Sequence, residues 1–202
     1  RMAIVRLGVK KVVQLVTLAS EKNRYTAENP TMAAMSQKLW HHALACSTGA
    51  GWLAKELGYD RFEEECFIGG LTHDVGKLFI ITVIEKLKKT NQIKQLPSLA
   101  VIDEVIDSLH CKHGYVLMKN WNLPERYCLI VRDHHAVDFD GENHLLTIVR
   151  LADHACNKVG LGLRPDDQIV LSATREASLL GFSDVALAKL EIHLEDAGML
   201  AA

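Results

Sequence analysis

Proline is scarce in this chain: Pro30, Pro97, Pro124 and Pro165 are the four in 202 residues. Each falls where a helix can begin or a loop can lie. Cysteine is present without a pattern. Cys46, Cys66, Cys111, Cys128 and Cys156 are scattered, odd in number and form no CxxC, which excludes a disulfide framework and points to reduced thiols in a cytoplasmic protein. Neither sign of charge dominates, with 23 Lys and Arg against 25 Asp and Glu, so no polybasic surface argues for nucleic acid. No signal peptide is visible. The longest apolar run, residues 78–84, is far shorter than the ~20 residues that cross a bilayer, and no membrane partner is expected. There is no internal repeat, no low-complexity segment and no alternating run long enough for a sheet.

What is there is helical periodicity. Hydrophobic residues make up 49% of the chain, enough for one domain with a sizeable core, with or without a small subdomain. They recur at three- and four-residue steps. Val9, Val12, Val13 and Val16 mark a first helix, which Gly8 separates from what precedes it. Further helices are expected over residues 32–57, ending at Gly58, then 61–77 or beyond, 98–121, 124 to about 135, and 143–159. Two more close the chain over 166–180 and 184–197, the second with Ser183 as its N-cap. The expected class is all-α. Because Arg1 opens inside an apparent helix, the chain reads as a piece of a longer protein.

Several polar residues stand on these apolar faces. His42 lies in LWHHALACS, His73 and Asp74 in GGLTHDVGKL, His110 in VIDSLHCKHGYVL, His134 and His135 in IVRDHHAV, and Asp153 in IVRLADHAC. A lone histidine in such a place is more often a hydrogen-bonded core residue than a ligand. These come from five helical segments, and leaving each without a partner would cost on the order of 1–3 kcal/mol. A divalent metal would satisfy them together: imidazole and carboxylate suit Fe, Mn, Zn, Ni or Co. Five imidazoles and two carboxylates exceed one tetrahedral shell and match two ions, with Asp74 as the candidate bridge. Two ions activate water and stabilise the oxygens of a phosphoryl group under attack. Lys77, one turn after Asp74, is placed to neutralise a phosphate oxygen. The remaining histidines, His41, His113, His144, His154 and His193, read as surface or structural residues, and the cysteines as core packing.

The pattern His…His-Asp…Asp resembles the signature of the HD superfamily of metal-dependent phosphohydrolases. More closely, the chain resembles an HDOD domain, the HD-related output domain of bacterial signalling proteins. The stretches AIVRLGVKKVVQLV, LWHHALACS, GGLTHDVGKL, HGYVLMKNWNLPE, IVRDHH and IVRLADHAC carry the resemblance, over roughly residues 3–160. It implies an all-α, HD-like helical bundle over 1–160, short of the family's N-terminal part, with 161–202 a helical extension packed on it. It implies the metal ligands His42, two after Trp40, then His73, Asp74, His110, His134, His135 and Asp153. Counting back from Trp121 and Gly114 selects His110 over His113. All seven positions are kept, as in the ligand set of the HD-GYP phosphodiesterases. That class carries HHExxDGxGYP, whereas here AVDFDGEN follows His135. Two readings stay open. One is a two-metal phosphohydrolase or phosphodiesterase acting on a nucleotide-like phosphate, with Asp74 and Lys77 in the chemistry. The other is a regulatory module that binds signalling proteins or a nucleotide and turns nothing over.

Overall fold

The computed structural model describes residues 29–59 and 62–201, with side chains as far as residue 196. The helix expected at Val9–Val16, the AIVRLG stretch and the expected start at Arg61 lie outside the described residues. Among the described residues the regular structure is helical throughout and no strand is present, as the periodicity predicts.

The helices are α1 (Pro30–Glu56), α2 (Glu63–Thr72), α3 (Val75–Lys89), α4 (Leu99–Asn120), α5 (Glu125–Asp133), α6 (His144–Lys158), α7 (Arg175–Leu180) and α8 (Asp184–Ala201), with a 3-10 turn at Leu171–Ala173. Their ends follow local chemistry. Asn29 Oδ1 accepts from the backbone N–H of Thr31 at 2.9 Å, with Pro30 in the first turn of α1. Gly58, at φ +73°, reverses the chain after α1, while Tyr59 N–H donates to the Ala54 carbonyl at 2.8 Å. Ser98, Asn143 and Ser183 cap α4, α6 and α8 by accepting from backbone N–H groups at 3.4, 3.2 and 3.3 Å.

Two expected helices are corrected. The single helix over 61–77 is two, broken between α2 and α3. In an unbroken helix the Gly70 carbonyl would accept from the N–H of Asp74. Here it accepts from the His73 ring, Nδ1 at 2.7 Å, and Asp74 leaves the helical region at φ −101°, ψ 13°. Residues Glu63–Lys89 have the length and apolarity of a membrane-crossing segment, but the break divides them, and His73 and Asp74 are buried in it. The helix expected over 166–180 shrinks to the 3-10 turn and α7. Asp166 N–H donates to the Asn157 carbonyl at 3.0 Å, and Thr174 is extended (φ −73°, ψ 145°) where it caps α7.

The described residues divide into two compact units, 29–37 with 74–132, and 38–59 with 62–73 and 133–201. In the first, α3 and α4 pack around Ile80, Ile81, Ile84, Ile102 and Ile106, all buried. Each such side chain stabilises the fold by ~1.5–3 kcal/mol. The helices cross at Gly76 and Gly114, where a Cβ on Gly76 would stand 2.0 Å from the His110 carbonyl oxygen. In the second unit α6 is the central helix, buried from Leu145 to Cys156 except at His154. Here α2 meets α1 at Gly70, where a Cβ would come within 2.7 Å of the Cys46 carbonyl oxygen. Leu190 and Leu194 of α8 reach Gly49 of α1. The glycines of GGLTHDVGKL thus set two close helix approaches, one in each unit.

Candidate metal centre

In the second unit α1, the C-terminal end of α2 and α6 bring His42, His73 and Asp153 together. Their Nε2, Nε2 and Oδ1 atoms form a triangle: His42 to His73 3.2 Å, His42 to Asp153 3.2 Å and His73 to Asp153 3.8 Å. Ligand atoms ~2.1 Å from a metal are ~3.4 Å apart in a tetrahedral shell and ~3.0 Å apart in an octahedral one. Two sides of the triangle lie between those values, and the third, at 3.8 Å, is somewhat longer. All three side chains are buried, His73 completely. Because His73 Nδ1 donates to the Gly70 carbonyl, its Nε2 is the ring atom that faces the other two donors. Nδ1 anchored to a backbone carbonyl is the tautomer a metal-ligating histidine uses. The donor set therefore fits a divalent ion.

Asn157, one turn after Asp153, donates from Nδ2 to Asp153 Oδ1 at 3.0 Å and orients that carboxylate. His134 is buried after the end of α5, its ring edge-on to His73 at 5.1 Å between centroids. His135 lies beside it, rings 4.1 Å apart, and is exposed. Two thiols lie one turn below the donors, Cys46 after His42 and Cys156 after Asp153. The Cys46 thiol is pushed well above its ordinary value by its hydrogen bond with Cys156 and by burial, so it stays neutral and packs.

In the first unit the Gly76–Gly114 crossing places Asp74 and His110 near one another, with His110 Nε2 3.7 Å from Asp74 Oδ1. His110 repeats the arrangement of His73: its Nδ1 donates to the Ile106 carbonyl at 2.8 Å, turning Nε2 toward the carboxylate. Lys77 pairs with the other oxygen of Asp74, Nζ to Oδ2 2.7 Å. All seven predicted donors are thus placed, five in one unit and two in the other. Of the histidines set aside, His113 stacks on Phe79, His144 on Tyr59 and His193 on Trp52. An open cleft of about 720 Å³ in the second unit, lined by Tyr59, Phe62, Glu142 and His144 among others, takes in none of the seven.

The sequence reading missed Arg150, Glu176 and Asn157. Arg150 Nη1 donates to the carbonyls of Asp133, His134 and Ala136 at 3.0, 2.7 and 3.0 Å, and its Nε to Glu176 Oε1 at 2.6 Å. Burial works to raise the Glu176 pKa, but hydrogen bonds from His154 and Arg150 hold it down at about 2. The available signals were an arginine inside the apolar run LLTIVRLADHAC and an asparagine one turn after the aspartate.

A model of the HDOD domain family matches residues 1–137. An uncharacterized protein of Treponema pallidum (strain Nichols) is 28% identical over 123 residues, covering 58% of this chain and 24% of that protein. The crystal structure of an HDOD domain protein with unknown function from Geobacter sulfurreducens has a TM-score of 0.63 to this chain at 22% identity, covering 82% of this chain and 62% of the other. The chain therefore spans about a quarter of the curated relative and less than two thirds of the solved one.

Proposed function

Because the chain belongs to the HDOD family, we propose that it is a signalling domain whose HD-type site holds divalent metal and hydrolyses a nucleotide-like phosphate. The observation that carries this reading is the buried triangle of His42, His73 and Asp153, with the tautomer of His73 set by the Gly70 carbonyl. His42, His73 and Asp153 would hold one ion. Asp74 and His110 in the first unit, and His134 and His135 in the second, are the further donors that the family resemblance names. A bound divalent ion supplies Lewis-acid polarisation of a phosphoryl oxygen and acidifies a water. The chain's own part is to orient the donors through the Gly70 and Ile106 carbonyls and Asn157, and to bring the Lys77 ammonium to a phosphate oxygen. Residues 161–202 belong to the proposal as an extension of the domain.

A second reading, a regulatory module that binds a nucleotide or a signalling protein without turnover, is favoured by one observation. After His135 the chain runs AVDFDGEN, without the GYP element of the phosphodiesterase class.

The test is elemental analysis of protein purified without chelators, wild type beside Asp153→Asn and His42→Gln. The wild type is expected to carry Fe, Mn, Zn or Ni, one or two equivalents. Each variant should keep its helical circular dichroism and lose metal affinity by at least about tenfold. A wild type that takes up no metal, even after reconstitution, sinks the metal reading. Metal uptake with no hydrolysis across a phosphodiester and phosphomonoester screen selects the regulatory module.

A further inference from the structure

The turn that carries the double histidine is gripped by a side chain outside the expected donor set. α5 ends at Asp133, and the last carbonyls of a helix have no partner within it. Arg150 of α6, 8% exposed, supplies one. Its Nη1 lies within 3.0 Å of the carbonyl oxygens of Asp133, His134 and Ala136. Its guanidinium lies 4.0 Å from the centroid of the Phe139 ring, and its Nε is committed to Glu176. A buried arginine needs a counter-charge, and Glu176, 3% exposed, provides it. Glu176 is itself braced by His154, Nε2 to Oε1 3.6 Å.

We infer that Arg150 is a positioning residue: it fixes the backbone of the histidine turn, and so the place of the His134 ring beside His73, while Glu176 of α7 locks Arg150 in that role. The inference rests on the metal reading above for its consequence, since it concerns the setting of that site. It gives residues 150–176, which lie beyond the 1–137 matched by the family, a share in building the centre. The gripped carbonyls bracket His134, the ring that meets His73 edge-on. An arginine is suited to this where a lysine is not. The planar guanidinium holds a carboxylate on one edge and carbonyls on the other, whereas an ammonium is a single point of donation.

The experiment uses the full chain stripped of metal and titrated with Co(II), comparing wild type, Arg150→Lys, Glu176→Gln and Leu187→Ala. Leu187 is buried in α8 and serves as a destabilised control. Two readouts are taken: Co(II) affinity with its visible spectrum, and the imidazole ¹⁵N and ¹H resonances of His134 in the metal-free protein. Arg150→Lys is expected to weaken Co(II) binding by about 10–100-fold, to change the visible band and to move the His134 resonances. Glu176→Gln should do the same to a smaller extent, and it keeps the test open if Arg150→Lys does not fold. Leu187→Ala should lower Tm and leave both readouts alone. Wild-type values in both arginine-lock variants overturn the inference, as does an equal loss of binding in Leu187→Ala. If the wild type binds no Co(II), the metal reading fails by itself. The His134 resonances then decide: moved in Arg150→Lys alone supports the clamp, and unmoved overturns it.

Discussion

Cys111 and Cys156 have opposite prospects. Cys111 is half-buried on α4, its sulfur 3.3 Å from His110 Nε2. Cys156 is fully buried, as are Cys46, Cys66 and Cys128. The thiolate is the reactive form, and burial pushes the Cys66 thiol up to about 12. A thiol reagent should therefore modify one equivalent quickly in the native protein, at Cys111, and all five after unfolding; a Cys111→Ser chain should lose the fast phase. A fast phase of two or more equivalents would contradict the burial described above. At this scale residue type made much of the site legible. Histidines and aspartates on apolar faces are costly unless partnered, and all seven singled out on that ground are placed in the fold, six of them buried. Arg150 was not legible, because its partners are backbone carbonyls, which a sequence pattern does not display.

Helix ends and helix crossings obey different constraints, and two glycines measure the difference. Gly58 ends α1 with φ +73° and has open space where a Cβ would go. Gly58→Ala should cost about 1 kcal/mol, the penalty of a left-handed residue with a side chain. Gly76 sits at the α3–α4 crossing with the His110 carbonyl oxygen 2.0 Å from a would-be Cβ. Gly76→Ala must force the helices apart and should cost about 3 kcal/mol or more. Urea denaturation of the two variants checks the contrast, and similar losses would mean that the crossing is softer than its geometry. Starts such as Ser98, Asn143 and Ser183 were readable because a cap is made within a few residues. The break at His73–Asp74 was not, because it comes with the His73 ring turning back onto the Gly70 carbonyl, a contact that a sequence pattern does not display. The shortened segment before α7 was not readable either, because Asp166 is held by the Asn157 carbonyl nine residues back.

For the molecule as a whole, the Arg150–Glu176 pair links folding to acidity. Glu176 is depressed from 4.5 to about 2, so its contribution is fully present above its unfolded pKa and is lost as pH falls from about 4.5 through 2. The loss is on the order of 3 kcal/mol. Unfolding free energies measured from pH 2 to 6 should fall on the acid side for the wild type. Glu176→Gln should be less stable at neutral pH and show a flatter acid limb. Parallel limbs for the two would remove Glu176 as the titrating group. At the other extreme stands Gly76 in the α3–α4 crossing, where a side chain would meet the His110 main chain and no acid, base or rotamer can adjust. No second substitution elsewhere can make room for a side chain there. A lineage whose histidines drifted one at a time would still have to keep Gly76. In such a descendant the crossing would survive as a fossil, recording where Asp74 and His110 once faced each other.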